Sequence, residues 1–137
     1  MKPLLLDTNV LIRFFRSDQR IASIISTFER IVLPTVVIGE YMAGVDPKTT
    51  GGQRQLEVLA AFLDSPSVKI SSVTEDVASL YARLFRVLKV AGTPIPQNDM
   101  WIAACSLETG ATLLSFDRHF EDVPLIDVRI EIGRAHV

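Results

Sequence analysis

The 137-residue chain carries 14 Lys and Arg against 16 Asp and Glu, a formal net charge of −2, so no global basic field is available and a nucleic-acid partner would have to be held by a local patch or by metal. Hydrophobic residues make up 48% and charged residues 22% of a length that suits one domain with one core, which excludes a disordered or low-complexity protein. The single cysteine, Cys105, excludes an intrachain disulfide and a cysteine-built zinc site and suits a reducing compartment.

The first predicted element is a strand at Leu4-Leu5-Leu6, a run with no polar alternation and so buried on both faces, ending abruptly in Asp7. That acid interrupts the apolar start too early for a signal peptide. The weakly charged run Ile31 to Val45 contains Glu40 and is shorter than the ~18 apolar residues a membrane span needs. The expectation is a cytoplasmic protein with no membrane partner. A helix over Asn9 to Arg16 places Val10 with Phe14 and Leu11 with Phe15, and sets Arg13 and Arg16 on another face. Asp18 caps a second helix carrying Ile21, Ile24, Ile25 and Phe28, followed by a strand over Arg30 to Leu33.

Pro34 suits the first turn of a third helix, Thr35 to Ala43, which Gly44 ends. Asp46 to Gly52 is the clearest loop. A helix over Gln53 to Leu63 turns Leu56, Leu59, Ala60 and Leu63 inward, and Ser65-Pro66 stops it. Val68 to Ile70 reads as a third strand. Ser72 and Glu75 form a capping box for a long helix through Val77, Leu80, Tyr81, Leu84 and Leu88 to about Ala91. After the stiff loop Gly92 to Pro96, Asn98 or Asp99 opens a helix through Trp101, Ile102, Cys105 and Leu107 to Gly110. A fourth strand over Thr112 to Phe116 ends at Asp117, Arg118 to Phe120 make at most one turn, and Val123 to Ile126 form the last strand. Strands alternating with helices imply a mainly parallel sheet covered on both faces. The closing Glu131-Ile132-Gly133-Arg134-Ala135-His136-Val137 matches what a common sequencing-adapter sequence encodes, so residues 131–137 are expected to be non-native and the native carboxyl end to be missing.

Four acids carry the chemistry. Asp7 and Asp117 each close a strand and each has an ordinary explanation as a turn or N-cap acid. Asp99 stands at a helix start, which capping and the helix dipole favour. Glu40 is the only charge between Ile31 and Val45, and a carboxylate buried there needs a metal or a partner charge, with a buried arginine as the structural alternative. Ligands of open α/β sheets bind beyond the carboxyl ends of the strands, and a parallel sheet can gather all four acids at that edge. Packed carboxylates repel. Hard oxygen ligands suit Mg²⁺ or Mn²⁺, ions that serve phosphoryl chemistry.

The ordered set Leu4-Leu5-Leu6-Asp7-Thr8-Asn9, Ile38-Gly39-Glu40-Tyr41, Asn98-Asp99-Met100-Trp101-Ile102-Ala103-Ala104 and Leu114-Ser115-Phe116-Asp117 resembles the PIN-domain family, especially the toxin ribonucleases of VapBC-type toxin–antitoxin pairs. The resemblance covers the chain to about Ile126. It implies a single PIN-like α/β domain over residues 1–130, with a central mainly parallel sheet of four to five short strands flanked by helices on both sides. It also implies a metal-dependent endoribonuclease acting on single-stranded RNA, often transfer or ribosomal RNA, with Mg²⁺ or Mn²⁺ held by Asp7, Glu40, Asp99 and Asp117 directly or through water. Thr8, Asn9 and Ser115 would support those acids. A homodimer and a cognate antitoxin lying over the site are implied as partners.

Arg13, Arg16 and Arg118, and beyond them Lys48 and Arg54, are candidates for the RNA backbone, each with a solvated surface role as its alternative. Trp101 and Phe120 are candidates to stack on bases, with core packing favoured for Trp101. Cys105 and Met100 read as packing residues, Asp122 as a turn acid, and His119 as a contact near Asp117 without the spacing of a zinc site. A haloacid-dehalogenase-type phosphatase wants a second acid where Asn9 stands. A receiver domain wants an early acid pair and a late lysine that the chain lacks. A catalytically silent PIN fold that binds RNA or protein is the third alternative, and the intact acid set argues against it.

Overall fold

Leu4, Leu5 and Leu6 are each fully buried. Successive strand residues face opposite sides of a sheet, so a strand with no exposed residue is covered on both faces. This strand, β1 (Leu4–Leu6), is the middle of a five-stranded sheet in the computed structural model, which describes residues 1–132. β2 (Ile31–Pro34) and then β3 (Val68–Ser71) lie on one side of it, and β4 (Thr112–Ser115) and then β5 (Asp127–Ile130) on the other, in the order β3-β2-β1-β4-β5. All four pairings are parallel. The α/β architecture expected from the alternating pattern is therefore observed, with a wholly parallel sheet.

The chain winds outward from β1 to β3 and then restarts at β4 on the opposite flank. β1 and β4 adjoin where the winding reverses, the place at which an open α/β sheet leaves a crevice at its carboxyl end. Six helices connect the strands: α1 (Thr8–Phe15), α2 (Gln19–Ser26), α3 (Thr35–Ala43), α4 (Thr50–Leu63), α5 (Glu75–Ala91) and α6 (Gln97–Thr109). α6 is the most deeply set, with Met100 and the run Ile102 to Ser106 buried, so Met100 and Cys105 pack as expected. Trp101 is half-buried and stacks on Tyr81 of α5 with ring centroids 4.0 Å apart. No helix among the described residues is long and apolar enough to cross a membrane.

Several boundaries differ from expectation for local reasons. α4 begins inside the segment read as loop, because the Thr49 hydroxyl accepts the Gly52 N–H at 2.9 Å. Gly52 is also the one residue type tolerated there, since a Cβ would collide with the Asp46 carbonyl. α5 is capped by Thr74, which accepts from Val77 N–H at 3.3 Å, in place of the Ser72–Glu75 box, and Glu75 becomes its first residue. The last strand runs over Asp127–Ile130 and not Val123 to Ile126. Pro124 offers no N–H to a ladder, and Leu125 sits at φ 73°, which breaks the extended run.

Glu131 continues from β5. Its N–H donates to the Ser115 carbonyl at 2.9 Å, and its buried carboxylate meets Arg20 at 2.7 Å and Arg129 at 3.2 Å. The expectation of a non-native tail falls, for residues 133–137, outside the described residues.

A candidate metal centre at the carboxyl end of the sheet

Strand β1 delivers Asp7 directly to the crevice. Asp7 caps α1: its Oδ1 accepts the Thr8 N–H at 2.8 Å, and its Oδ2 accepts the Ser115 hydroxyl at 2.6 Å. Ser115 closes β4, is fully buried, and accepts the Asp117 N–H at 2.9 Å through the same oxygen. One serine thus ties the acid after β1 to the backbone of the acid after β4, fixing the two strand ends that the sheet places side by side.

α3 and α6 bring the other two acids. Glu40 is half-buried, and only Val37 and Tyr41 of α3 are buried, so the helix is less enclosed than its composition suggested. No arginine neutralises Glu40 among the described residues. Its carboxylate is held by neutral donors, the Thr8 hydroxyl at 2.6 Å on Oε1 and the Asn98 amide at 2.6 Å on Oε2. Asp99 lies in the first turn of α6, only 7% exposed, with its Oδ2 2.8 Å from His119 Nε2. His119 reaches it from a 3-10 turn, Arg118–Asp122, that is pinned by the fully buried Phe120.

The four acids, together with Thr8, Asn9, Pro96, Asn98 and His119, line one open cleft of ≈ 330 Å³. Burial pushes the Asp7 carboxyl up from 3.8 to about 6, against the pull of its hydrogen bonds to Ser115 and Thr8, with the charges of Asp99 and Asp117 adding to the rise. Asp99 is raised for the same first reason, opposed by the His119 ring and reinforced by Asp117 and Glu40. Among the described residues no Lys or Arg forms an ion pair with any of the four. Four carboxylates lining one cleft without a Lys or Arg partner among the described residues form a donor set that fits a hard divalent ion.

The family model described as PIN domain matches residues 4–125. The chain belongs to the PIN-domain family. Among curated relatives it is similar to ribonuclease VapC1 of Haemophilus influenzae (strain R2866), 27% identical over 116 residues that cover 81% of this chain and 84% of that protein. It is similar also to ribonuclease VapC4 of Mycobacterium tuberculosis, 27% identical over 93 residues covering 68% and 71%. Among solved structures, VapBC2 from Rickettsia felis bound to a DNA fragment from its promoter superposes with a TM-score of 0.82 over 93% of this chain and 98% of that one, at 20% identity, which speaks to the fold alone.

Within this PIN domain the structure gathers Asp7, Thr8, Asn9, Glu40, Asp99 and Asp117 at the cleft, with Ser115 behind it. It does not bring the arginines there equally. Arg13 is bound to Asp18 at 2.9 Å and lies 5.0 Å over the Phe116 ring, while Arg118 pairs with Glu121 at 3.2 Å. Arg16 and Arg54 line an adjoining cavity of ≈ 260 Å³ that shares Glu40 with the cleft. Phe120, a candidate for base stacking, is fully buried and cannot present a face to a base. Two residues gained roles that spacing could not reveal. Asn98 grips Glu40 across 58 positions and His119 meets Asp99 across 20, and such contacts exist only once the strands are ordered.

Proposed function

We propose that the chain is an endoribonuclease that uses Mg²⁺ or Mn²⁺ to cleave single-stranded regions of RNA, transfer or ribosomal RNA in particular, and that it is the toxin of a type II toxin–antitoxin pair. The observation that carries this reading is the cleft, which four carboxylates from four segments line without a Lys or Arg partner among the described residues. A fold gains nothing from such repulsion, whereas a cation-dependent site needs it. The relatives' names, ribonuclease VapC1 and ribonuclease VapC4, support the reaction class. The VapBC2 complex supports a cognate antitoxin as partner. A homodimer and a cytoplasmic location belong to the same reading.

A bound divalent cation would supply charge neutralisation at the scissile phosphate and a more acidic water for in-line attack. Asp7, Glu40, Asp99 and Asp117 would hold it, directly or through water. Thr8, Asn98 and Ser115 orient the carboxylates: each donates to one carboxylate oxygen and leaves the remaining lone pairs free. Asn9 stands exposed on the rim. That Arg16 and Arg54 line the adjoining cavity with Glu40 supports a role for them in holding the phosphates of the RNA strand, whereas Arg13 and Arg118 are already paired with Asp18 and Glu121.

Purified protein is expected to cleave single-stranded RNA with Mg²⁺ or Mn²⁺, to leave a 5′-phosphate and a 3′-hydroxyl, and to stop on addition of EDTA. Cleavage that persists undiminished in EDTA would overturn the reading.

A further inference from the structure

We infer that His119 is a nitrogen ligand of this cation site, which makes it a mixed nitrogen–oxygen centre that holds transition-metal ions such as Mn²⁺ and Co²⁺ more tightly than Mg²⁺. The inference rests on the metal-dependent reading above and names which cation that site selects.

Within the cleft, Asp99, Asp117 and His119 are the tightest group, each offering a ligand atom within 4.8 Å of the other two. His119 Nε2 and Asp99 Oδ2 are 2.8 Å apart. Adjacent ligands of an octahedral ion with bonds of about 2.1 Å stand about 3 Å apart, so this pair is already spaced as neighbours in a coordination shell. The imidazole is not a loose surface group. The residue after it, Phe120, is fully buried, the two rings lie 4.9 Å apart, and the 3-10 turn carrying both is tied to Asp117, whose carbonyl accepts the Phe120 N–H at 3.4 Å. Its side chain is still 33% exposed and lines the cleft, so an ion has access to it.

Charge pairing alone explains the ring poorly. One imidazole faces Asp99, yet Asp117, Glu40 and Asp7 line the same cleft with no Lys or Arg partner among the described residues. As a ligand, the neutral ring keeps its proton on Nδ1 and offers the Nε2 lone pair. That lone pair faces the cleft beside Asp99 Oδ2, 2.8 Å away, where a shared cation would sit. Mg²⁺ takes oxygen donors and keeps its waters, whereas imidazole favours first-row transition metals, with affinity rising from Mn²⁺ to Co²⁺.

The test uses the full chain freed of metal, with MgCl₂, MnCl₂ and CoCl₂ as probes in calorimetric titrations and the visible spectrum of bound Co²⁺ as a second readout. The parent is expected to bind Co²⁺ and Mn²⁺ at least about tenfold more tightly than Mg²⁺. His119→Gln, which puts a carbonyl oxygen within reach in place of the ring nitrogen, is expected to lose about 10- to 100-fold in Co²⁺ affinity, to change Mg²⁺ affinity by no more than about twofold, and to shift the Co²⁺ bands. Mn²⁺ bound to parent protein grown with ¹⁵N-histidine should show a nitrogen hyperfine coupling that His119→Gln removes, a readout that starts from the unmutated chain. An unchanged Co²⁺ spectrum and an unchanged Mn²⁺-to-Mg²⁺ ratio in His119→Gln would overturn the inference while leaving a carboxylate-held cation standing. A parent that binds none of the three ions would overturn both.

Discussion

Two aspartates at opposite ends of the same sheet show what separates a structural acid from a site acid. Asp127 opens β5 at the amino edge, where Thr112 donates to its Oδ2 at 2.7 Å and the Lys2 ammonium stands 3.2 Å from the same oxygen. Those contacts hold its carboxyl below the ordinary range. Asp7 follows β1 at the carboxyl edge, is 4% exposed, and faces Asp99 and Asp117 in place of a lysine, so its carboxyl rises to about 6. One residue type on one sheet is thus stabilised as an anion at one end and penalised at the other. The penalised end coincides with the reversal of winding between β1 and β4, where an α/β sheet presents a crevice. A fold keeps an unfavourable carboxylate there if something outside the protein chain compensates it.

The sharpest break of this symmetry is in activity. Asp7→Asn keeps the acceptor for the Thr8 N–H and the size of the side chain, yet removes a charge from the cation cradle. Cleavage should fall by more than the roughly 100-fold that loss of a supporting partner costs, with the far-UV circular dichroism unchanged. Asp127→Asn should cleave like the parent. Parent-like cleavage by Asp7→Asn would show that the site is wrongly placed.

The next effect is a pH dependence with opposite signs at the two ends. The folded value of Asp7 lies above its unfolded value, so between them the folded chain binds the proton more tightly than the unfolded chain does. Stability of the metal-free protein should therefore fall as pH rises from about 4 to about 6, by up to about 3 kcal/mol. Asp127 behaves oppositely: its stabilisation is present above the unfolded value and is lost as pH falls through the lower folded one. Chemical denaturation in EDTA across pH 4 to 7 reads the slope, and Asp7→Asn should flatten it. Saturating Mn²⁺ at pH 7 should raise the midpoint of the parent more than that of Asp7→Asn, which keeps Asp99, Asp117 and His119.

Ser115→Ala probes the tie between β1 and β4. It strips Asp7 Oδ2 of its donor and the Asp117 N–H of its acceptor. Activity is expected to drop about 10- to 100-fold and stability by about 1–3 kcal/mol, a combination that neither aspartate variant shows. Cleavage and denaturation at parent levels would remove Ser115 from the supporting set.

The contrast between the two edges was partly legible in the sequence. The unbroken apolar runs at Leu4 to Leu6 and Leu113 to Leu114, each followed closely by an acid, marked buried strands with acids at their carboxyl ends, and the parallel sheet follows from their alternation with helices. What spacing could not carry was everything set by contact between distant segments: Asn98 on Glu40, Ser115 on Asp7, His119 on Asp99. Nor could it place the last strand. The run from Val123 to Ile126 has the composition of a strand, but Pro124 and the positive φ of Leu125 make it a turn. The sequence likewise gives no sign of Asp127's role, because its partners Lys2 and Thr112 lie 125 and 15 positions away.

The smallest expected effect tests the amino edge itself. Lys2 and Asp127 have side chains 59% and 47% exposed, and an ion pair in water gains little beyond what solvent already supplies, about 0.2–1 kcal/mol. Lys2→Ala should therefore cost no more than that, and the cost should shrink in high salt as the charges are screened. The Thr112 hydroxyl would still hold Asp127 in place. At the carboxyl edge salt should act in the other sense, because screening relieves the repulsion among Asp7, Asp99 and Asp117. Metal-free protein should then gain stability as salt rises, and Asp7→Asn should gain less. Equal salt responses in parent and Asp7→Asn would mean that repulsion among these three acids does not strain the metal-free fold, and the contrast between the two edges would reduce to burial alone.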